Sequence, residues 1–475
     1  MAATLSNDVF FLSIGEITAK LRAKEFSAVE LTRAFCDRLE RDGPSYNALA
    51  LSLRKTALRK AKDVDGDLKL ERYRALQGIP YGAKDLLAVR GYPTTWGARP
   101  YATQVFDEDA AVIQKLDKAG AILIGKLAMV ELAGGPSYRF ASASLTGPGL
   151  NPWDRTRWSG GSSSGSGIAT AAGLVTFALG SETSGSILTP SAFCGVTGLR
   201  PTYGLVSRRG AMALSWTLDK LGPLCRSAED CGLVLQTIAG GDNDDPGSAG
   251  RGFAYTPQFA RKPDEITIGY APVDFEEWAD PSARAGFQAA LGVVKAMGSP
   301  MKEVEIPDFP YGALAGTIIS GEAGSIFEEL IRSGRVNELA DKRQIAGLKE
   351  ALNLPASQYL KAMRIRTLVQ QAFRELFIDY DVLLTPTRLG PANKVTDALD
   401  RGSDRPQPKS RGLSGLVAAG NLAGLPAISL PCGFAENMPI GISLVGRAFT
   451  ENHLIAVGKL FQSQTDWHRR RPPVS

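Results

Sequence analysis

Histidine is nearly missing from this chain of 475 residues, which has only two, His453 and His468, both close to its C-terminal end. That scarcity excludes a histidine-rich metal site and leaves a Ser-His-Asp enzyme just two candidates for its base. His453, in Glu-Asn-His-Leu, reads as a residue at a helix start, and His468, in Asp-Trp-His-Arg, as a surface residue. Cysteine is sparse too. Cys36, Cys194, Cys225, Cys231 and Cys432 are odd in number, far apart and without a C-x-x-C pair, which indicates neither a disulfide framework nor a zinc site and predicts reduced, buried thiols. No apolar run reaches the length of a membrane span, and no basic segment leads into an apolar one near Met1, so the expected location is the cytoplasm. Neither sign of charge dominates. The net charge is +5, and the one dense basic run, residues 468–471, has no aromatic residues interleaved, which argues against a nucleic-acid partner. No metal, no cofactor and no membrane partner is expected.

The length allows a large core, and 44% hydrophobic with 22% charged residues is an ordinary globular balance. Ser27-Ala-Val-Glu30 is a capping box opening a helix that runs to Asp42. Asp107-Glu-Asp109 precedes an apolar helical pattern and reads as its cap and dipole partner rather than as a metal site. Gly120-Ala-Ile-Leu-Ile-Gly125-Lys126-Leu127 falls one residue short of a phosphate-binding loop; its interior reads as a buried strand, and Leu127 cannot hold magnesium. Further on, helices are expected near residues 228–239, 283–297, 314–335 and 357–377, with strands near 266–271, 304–306 and 381–385. The polar, Pro-rich residues 401–412 are expected to form a mobile surface loop.

The chain is organised around residues 159–200. Its first nine residues, SGGSSSGSG, are only serine and glycine, a composition that crowds backbone N–H groups and hydroxyls around a small ligand. An uncharged, Ala-rich run follows, and then a second small-residue turn, Glu182-Thr-Ser-Gly-Ser186. A short helix over 166–173 and a returning strand over 174–180 bring the two turns to one sheet edge, with Ser162 within reach of Ser186. Upstream, Gly78-Ile-Pro-Tyr-Gly-Ala-Lys84-Asp85 puts one lysine in an apolar strand, where alternation sends Lys84 and Asp85 to opposite faces. An inward lysine is desolvated, which lowers its pKa and makes a neutral amine available as proton acceptor.

These motifs resemble the amidase signature family: GGSSSGS at 160–166, GSETSGSI at 180–187 and GIPYGAKD at 78–85 all match in order, and the resemblance continues through FCGVTGLRPTYG at 193–204, DVLLTPT at 381–387 and NLAGLPAISLPCG at 421–433. The resemblance implies an α/β fold with a central mixed, twisted sheet covered by helices on both faces. It implies one amidase domain over 1–475, with a helical part to residue 65, a signature core over 66–240, a variable helix-rich part over 241–380 and a return to the core over 381–475. It also implies Ser186 as nucleophile, Ser162 as a bridging serine after a cis peptide bond, and Lys84 as base. Ser163 and Ser181 would hydrogen-bond around Lys84, and the N–H groups of Thr183, Ser184, Gly185 and Ser186 would hold the oxyanion.

Three positions depart from the family pattern D-T-G-G-S-I-R: Glu182, Ser184 and Leu188. Ser184 matters only if the turn needs a positive φ there, and Leu188 removes a charge near the nucleophile. The expected activity is therefore a serine hydrolase cleaving neutral amides, with aryl amides, carbamates (urethanes) and esters open to the same triad and a small-molecule substrate as partner. A homodimer is the default assembly. The alternative is the glutamine-amidase component, the A subunit, of a tRNA-dependent amidotransferase. Residues 132–150, 388–391 and 401–412 are expected to shape the pocket.

Overall fold

The computed structural model describes residues 5–259, 261–399 and 409–473, so most of the loop expected at 401–412 lies outside the described residues. Eleven strands form one mixed sheet: β1 (Leu49–Ser52), β2 (Pro80–Lys84), β3 (Ile122–Leu127), β4 (Phe177–Glu182), β5 (Thr197–Arg200), β6 (Lys220–Cys225), β7 (Ile268–Tyr270), β8 (Met301–Glu303), β9 (Val382–Pro386), β10 (Ala427–Ala435) and β11 (Met438–Gly446). Their order across the sheet is β1-β3-β2-β4-β6-β5-β10-β11-β9-β7-β8. β2 runs parallel to both β3 and β4, whereas β4 and β6 are antiparallel. The expected α/β fold is therefore the one observed.

Every residue of β2, β4, β6, β9 and β11 is buried. Burial on both faces is what helices packed on each side of a sheet produce, and it explains why these strands read as apolar runs rather than as an alternation. The helix Ala28–Asp42 opens on the capping box Ser27–Glu30, as its sequence indicates. The helix Ala111–Lys118 does not open on its acidic neighbours: Ala110 is its N-cap, and Asp109 instead accepts the N–H of Arg90 at 2.8 Å. The strand expected at 304–306 forms over Met301–Glu303, where the chain runs beside β7.

Between β3 and β4 lies the helix Ser164–Ala171, every residue of it buried. Gly165 permits this, because a Cβ there would sit 2.5 Å from both Ala128 N and Ala48 O. The serine loop is thereby pressed against the end of β3. All five cysteines are free and buried. His453 falls in the first turn of the helix Glu451–Ser463. His468 is half-buried rather than a surface residue, and burial pushes it down to about 4. Among the described residues no helix is long and apolar enough to cross a membrane.

Candidate active site

Lys84 is the last residue of β2 and is fully buried. Asp85, the first residue past the strand, turns away from the serine loop and pairs with Lys126 Nζ at 2.7 Å. Lys126 also donates to Pro93 O and Thr94 Oγ1, so the lysine of the near-miss phosphate loop is held by the strand and the turn beside it. Lys84 Nζ lies 2.7 Å from Ser162 Oγ and 2.9 Å from Ser181 Oγ. The Gly161–Ser162 peptide is cis.

The two turns meet through the backbone: Ser163 N–H donates to Ser186 O at 3.3 Å. Ser163 Oγ donates to Ser181 O at 3.1 Å and accepts from Ser181 N, so Ser163 touches Lys84 only through Ser181. Ser181, at the end of β4, faces the lysine directly. Thr183, Ser184, Gly185 and Ser186 follow. Among the described residues, none of their four N–H groups donates to a protein acceptor. Gly185 has φ +92°, a left-handed conformation suited to glycine, whereas Ser184 has no positive φ; the serine at 184 therefore imposes no backbone cost.

Glu182 fixes the far side of the turn. Its Oε2 accepts the N–H groups of Ile187 and Leu188 at 2.9 and 3.0 Å, satisfying the start of the helix Leu188–Cys194. Its Oε1 accepts from Arg200 and from Asn421 Nδ2, each at 2.9 Å. Burial alone would raise this carboxyl, but Arg200 and the donors around it hold it below the usual range. Because Glu182 serves the helix start, Ser186 has no capping duty: Ile187 is the N-cap residue, without a side-chain cap bond.

Burial pulls Lys84 down to about 7, against the opposing pull of Asp219 and then Glu182. If the neutral amine serves as a base, activity is present above this pKa and lost as pH falls through it. The rate is therefore expected to rise through about pH 7 and level off above it, with roughly a tenth of the plateau left one unit below the midpoint. A pH–rate profile checks this; a flat profile between pH 6 and 9 would contradict it.

A cavity of about 390 Å³ opens beside Ser181 and Thr183, lined by Leu86, Met212, Leu214, Leu221 and Trp216 and also by the ion-paired Arg208 and Asp245. Of the segments expected to shape the pocket, residues 132–150 contribute Ala133 to this cavity. Arg388, Leu389, Gly390 and Pro391 line a separate cleft of about 220 Å³ with Phe193, Trp278 and Asp280.

In the comparison with known families, the Amidase model matches residues 30–455. The chain belongs to the amidase family. This amidase is 36% identical to the A subunit of the glutamyl-tRNA(Gln) amidotransferase of Methylococcus capsulatus, over 97% of this chain and 98% of that one. Among solved structures it resembles a chain from a vestigial protein complex bearing on the origins of an s-triazine catabolic enzyme (30% identity, TM-score 0.87, 98% and 100% of the two chains). It also resembles the peptide amidase of Stenotrophomonas maltophilia (28% identity, TM-score 0.83, 97% and 98%).

The sequence did not announce the Glu182–Arg200–Asn421 contact or the hydrogen bond from Thr183 Oγ1 to Asp219. The first joins residues 239 positions apart, which no local pattern announces. Asp219 had a faint signal, a lone carboxylate leading into the apolar Lys220–Cys225 strand.

Proposed function

We propose that this amidase cleaves amide bonds through an acyl-enzyme on Ser186, with Lys84 as base, Ser162 as proton relay, and the N–H groups of Thr183, Ser184, Gly185 and Ser186 as oxyanion hole. The observation that carries this reading is the fully buried Lys84 amine, 2.7 Å from Ser162 Oγ and drawn toward its neutral form. Lys84 accepts the Ser162 proton, Ser162 accepts that of Ser186, and Ser186 Oγ attacks the carbonyl carbon. The tetrahedral oxygen anion sits among the four free N–H groups. The relay then returns a proton to the leaving nitrogen, the C–N bond breaks, and water attacks the ester through the same relay. Ser163 and Ser181 keep the lysine and the two turns in register.

Two finer readings follow. Kinship favours the A subunit of an amidotransferase, a glutamine amidase working with partner subunits, since a 36% likeness runs along nearly the whole chain. The sequence objection to it also weakens. Leu188 is buried in the core and does not line the cavity beside Thr183, so its lack of charge says little about the substrate. A free-standing amidase for neutral amides, carbamates or esters is favoured by the apolar wall of that same cavity, Leu86, Met212, Leu214 and Leu221.

Assaying the purified chain alone on neutral aryl amides, aryl carbamates and L-glutamine, with Ser186→Ala as control, separates the two. Glutamine hydrolysis that needs partner subunits, with silence on the neutral panel, supports the amidotransferase reading. Aniline release by the chain alone, lost in Ser186→Ala, supports the free-standing one. Turnover that survives Ser186→Ala refutes both.

A further inference from the structure

One buried carboxylate outside the Lys84–Ser162–Ser186 line touches the nucleophile turn. Asp219, immediately before β6, accepts the hydroxyl of Thr183 on Oδ1 at 2.6 Å. Its Oδ2 accepts the N–H groups of Leu214 and Ser215 at 2.8 and 2.9 Å. These two sets of donors come from different parts of the site: Thr183 begins the run of free N–H groups, and Leu214 belongs to the cavity wall.

The line continues outward. Ser215 Oγ donates to Glu322 of the helix Tyr311–Ile326, and the other oxygen of Glu322 accepts from Thr217 Oγ1 at 2.7 Å and from Tyr359 OH at 2.8 Å. A chain of hydrogen bonds thus runs from the helix Ala356–Asp379 to the oxyanion turn, and Asp219 is its last member before Thr183.

We infer that Asp219 is a positioning residue for amide cleavage: it clamps Thr183, and with it the proposed oxyanion-binding turn, to the cavity wall, two residues along the chain from Ser181, whose Oγ lies 2.9 Å from Lys84 Nζ. The inference rests on the reading of Ser186 and Lys84 given above.

The geometry separates the contacts of Asp219 from its charge. An asparagine at 219 can keep both contacts, its oxygen accepting from Leu214 and Ser215 and its nitrogen donating to Thr183 Oγ1, so only the charge is lost. An alanine loses both. The charged groups that act on Lys84 are Asp219 and Glu182, both of which favour its protonated form. Burial raises the Asp219 carboxyl itself, against the Thr183, Leu214 and Ser215 donors and the charge of Lys220, and Arg208 is the other charged group it acts on. Removing the charge at 219 therefore makes Lys84 easier to deprotonate.

The test is the rate of covalent labelling by an alkyl fluorophosphonate against pH, which reads Ser186 without a natural substrate: Ser186 Oγ bonds to phosphorus, fluoride leaves, and the serine proton passes to the relay. Asp219→Asn is expected to move the midpoint of the rising limb down by roughly half a unit to one unit while keeping most of the plateau. Asp219→Ala is expected to lower the plateau by about 10- to 100-fold. Thr183→Val is expected to lower it similarly, with the double variant no slower than the slower single one. An unmoved midpoint in Asp219→Asn together with a wild-type plateau in Thr183→Val overturns the inference, even if Asp219→Ala fails to fold. Labelling that persists in Ser186→Ala overturns the parent reading instead.

Discussion

Lys84→Met is expected to slow acylation of Ser186 by about 10⁴-fold, the upper range for loss of a positioned general base, and to erase the rise in rate around pH 7. The two effects share one cause. The group proposed to end the proton relay is an amine whose burial brings it to about 7, so removing the amine removes both the base and the titration. The proposed oxyanion turn keeps its four free N–H groups, which leaves residual reaction above the uncatalysed level. Stability should not fall with activity, because methionine suits a site with no exposure and needs no desolvation of nitrogen. Fluorophosphonate labelling with a thermal unfolding scan checks both. A variant that still titrates near pH 7 would show that some other group is the base.

Arg200→Met is expected to have the largest effect on stability, about 3–5 kcal/mol, the usual cost of stripping one partner from a buried ion pair. Arg200 and Glu182 are both fully buried and 2.9 Å apart. Without the guanidinium, Glu182 retains Asn421, Ile187 and Leu188 as donors but loses the cation that offsets its burial. Lys220 lies alongside, but burial and Arg200 itself press it toward its neutral form. Activity should fall with stability, since the carboxylate that holds the backbone just after Ser186 becomes easier to protonate. Glu182→Gln combined with Arg200→Met should recover much of the loss, because no lone charge is then left buried. Urea unfolding of the two single variants and the double variant provides the cycle; strictly additive losses would refute the coupling.

What the sequence revealed about the site was chiefly local. Lys84 and Asp85 turn to different partners at the end of β2, as adjacent letters in a strand pattern suggest. The capping box at Ser27 and the return of the second serine turn beside the first are also short-range patterns. The site's surroundings obey no such rule. Asp107–Asp109 looked like a helix cap, yet Asp109 turned to the Arg90 N–H, a tertiary partner that competes with the cap. Leu188 stood out by comparison with a motif, but whether it faces substrate or core depends on the packing of the helix Leu188–Cys194, all of whose residues are buried. Asp219 and Arg200 gain their meaning only when β6, β5 and β4 are brought together. The fold class survived these misses because it rests on repeated buried strands rather than on any single contact.

The strand order carries a consequence for synthesis on the ribosome. Six consecutive strands, β1 to β6, form one continuous half of the sheet and contain Lys84, while both serine turns lie between or beside them. The neighbour of β5, however, is β10, which emerges about two hundred residues later, on the order of 10–40 s at ordinary elongation rates. During that interval the nascent chain bears an unpaired strand edge, a template for wrong pairings. It also lacks Asn421 and Val417, which touch Glu182 and flank Gly185 in the finished protein. The side chains proposed for catalysis are thus synthesised early, and the C-terminal segment that closes the sheet is also the one that completes their surroundings.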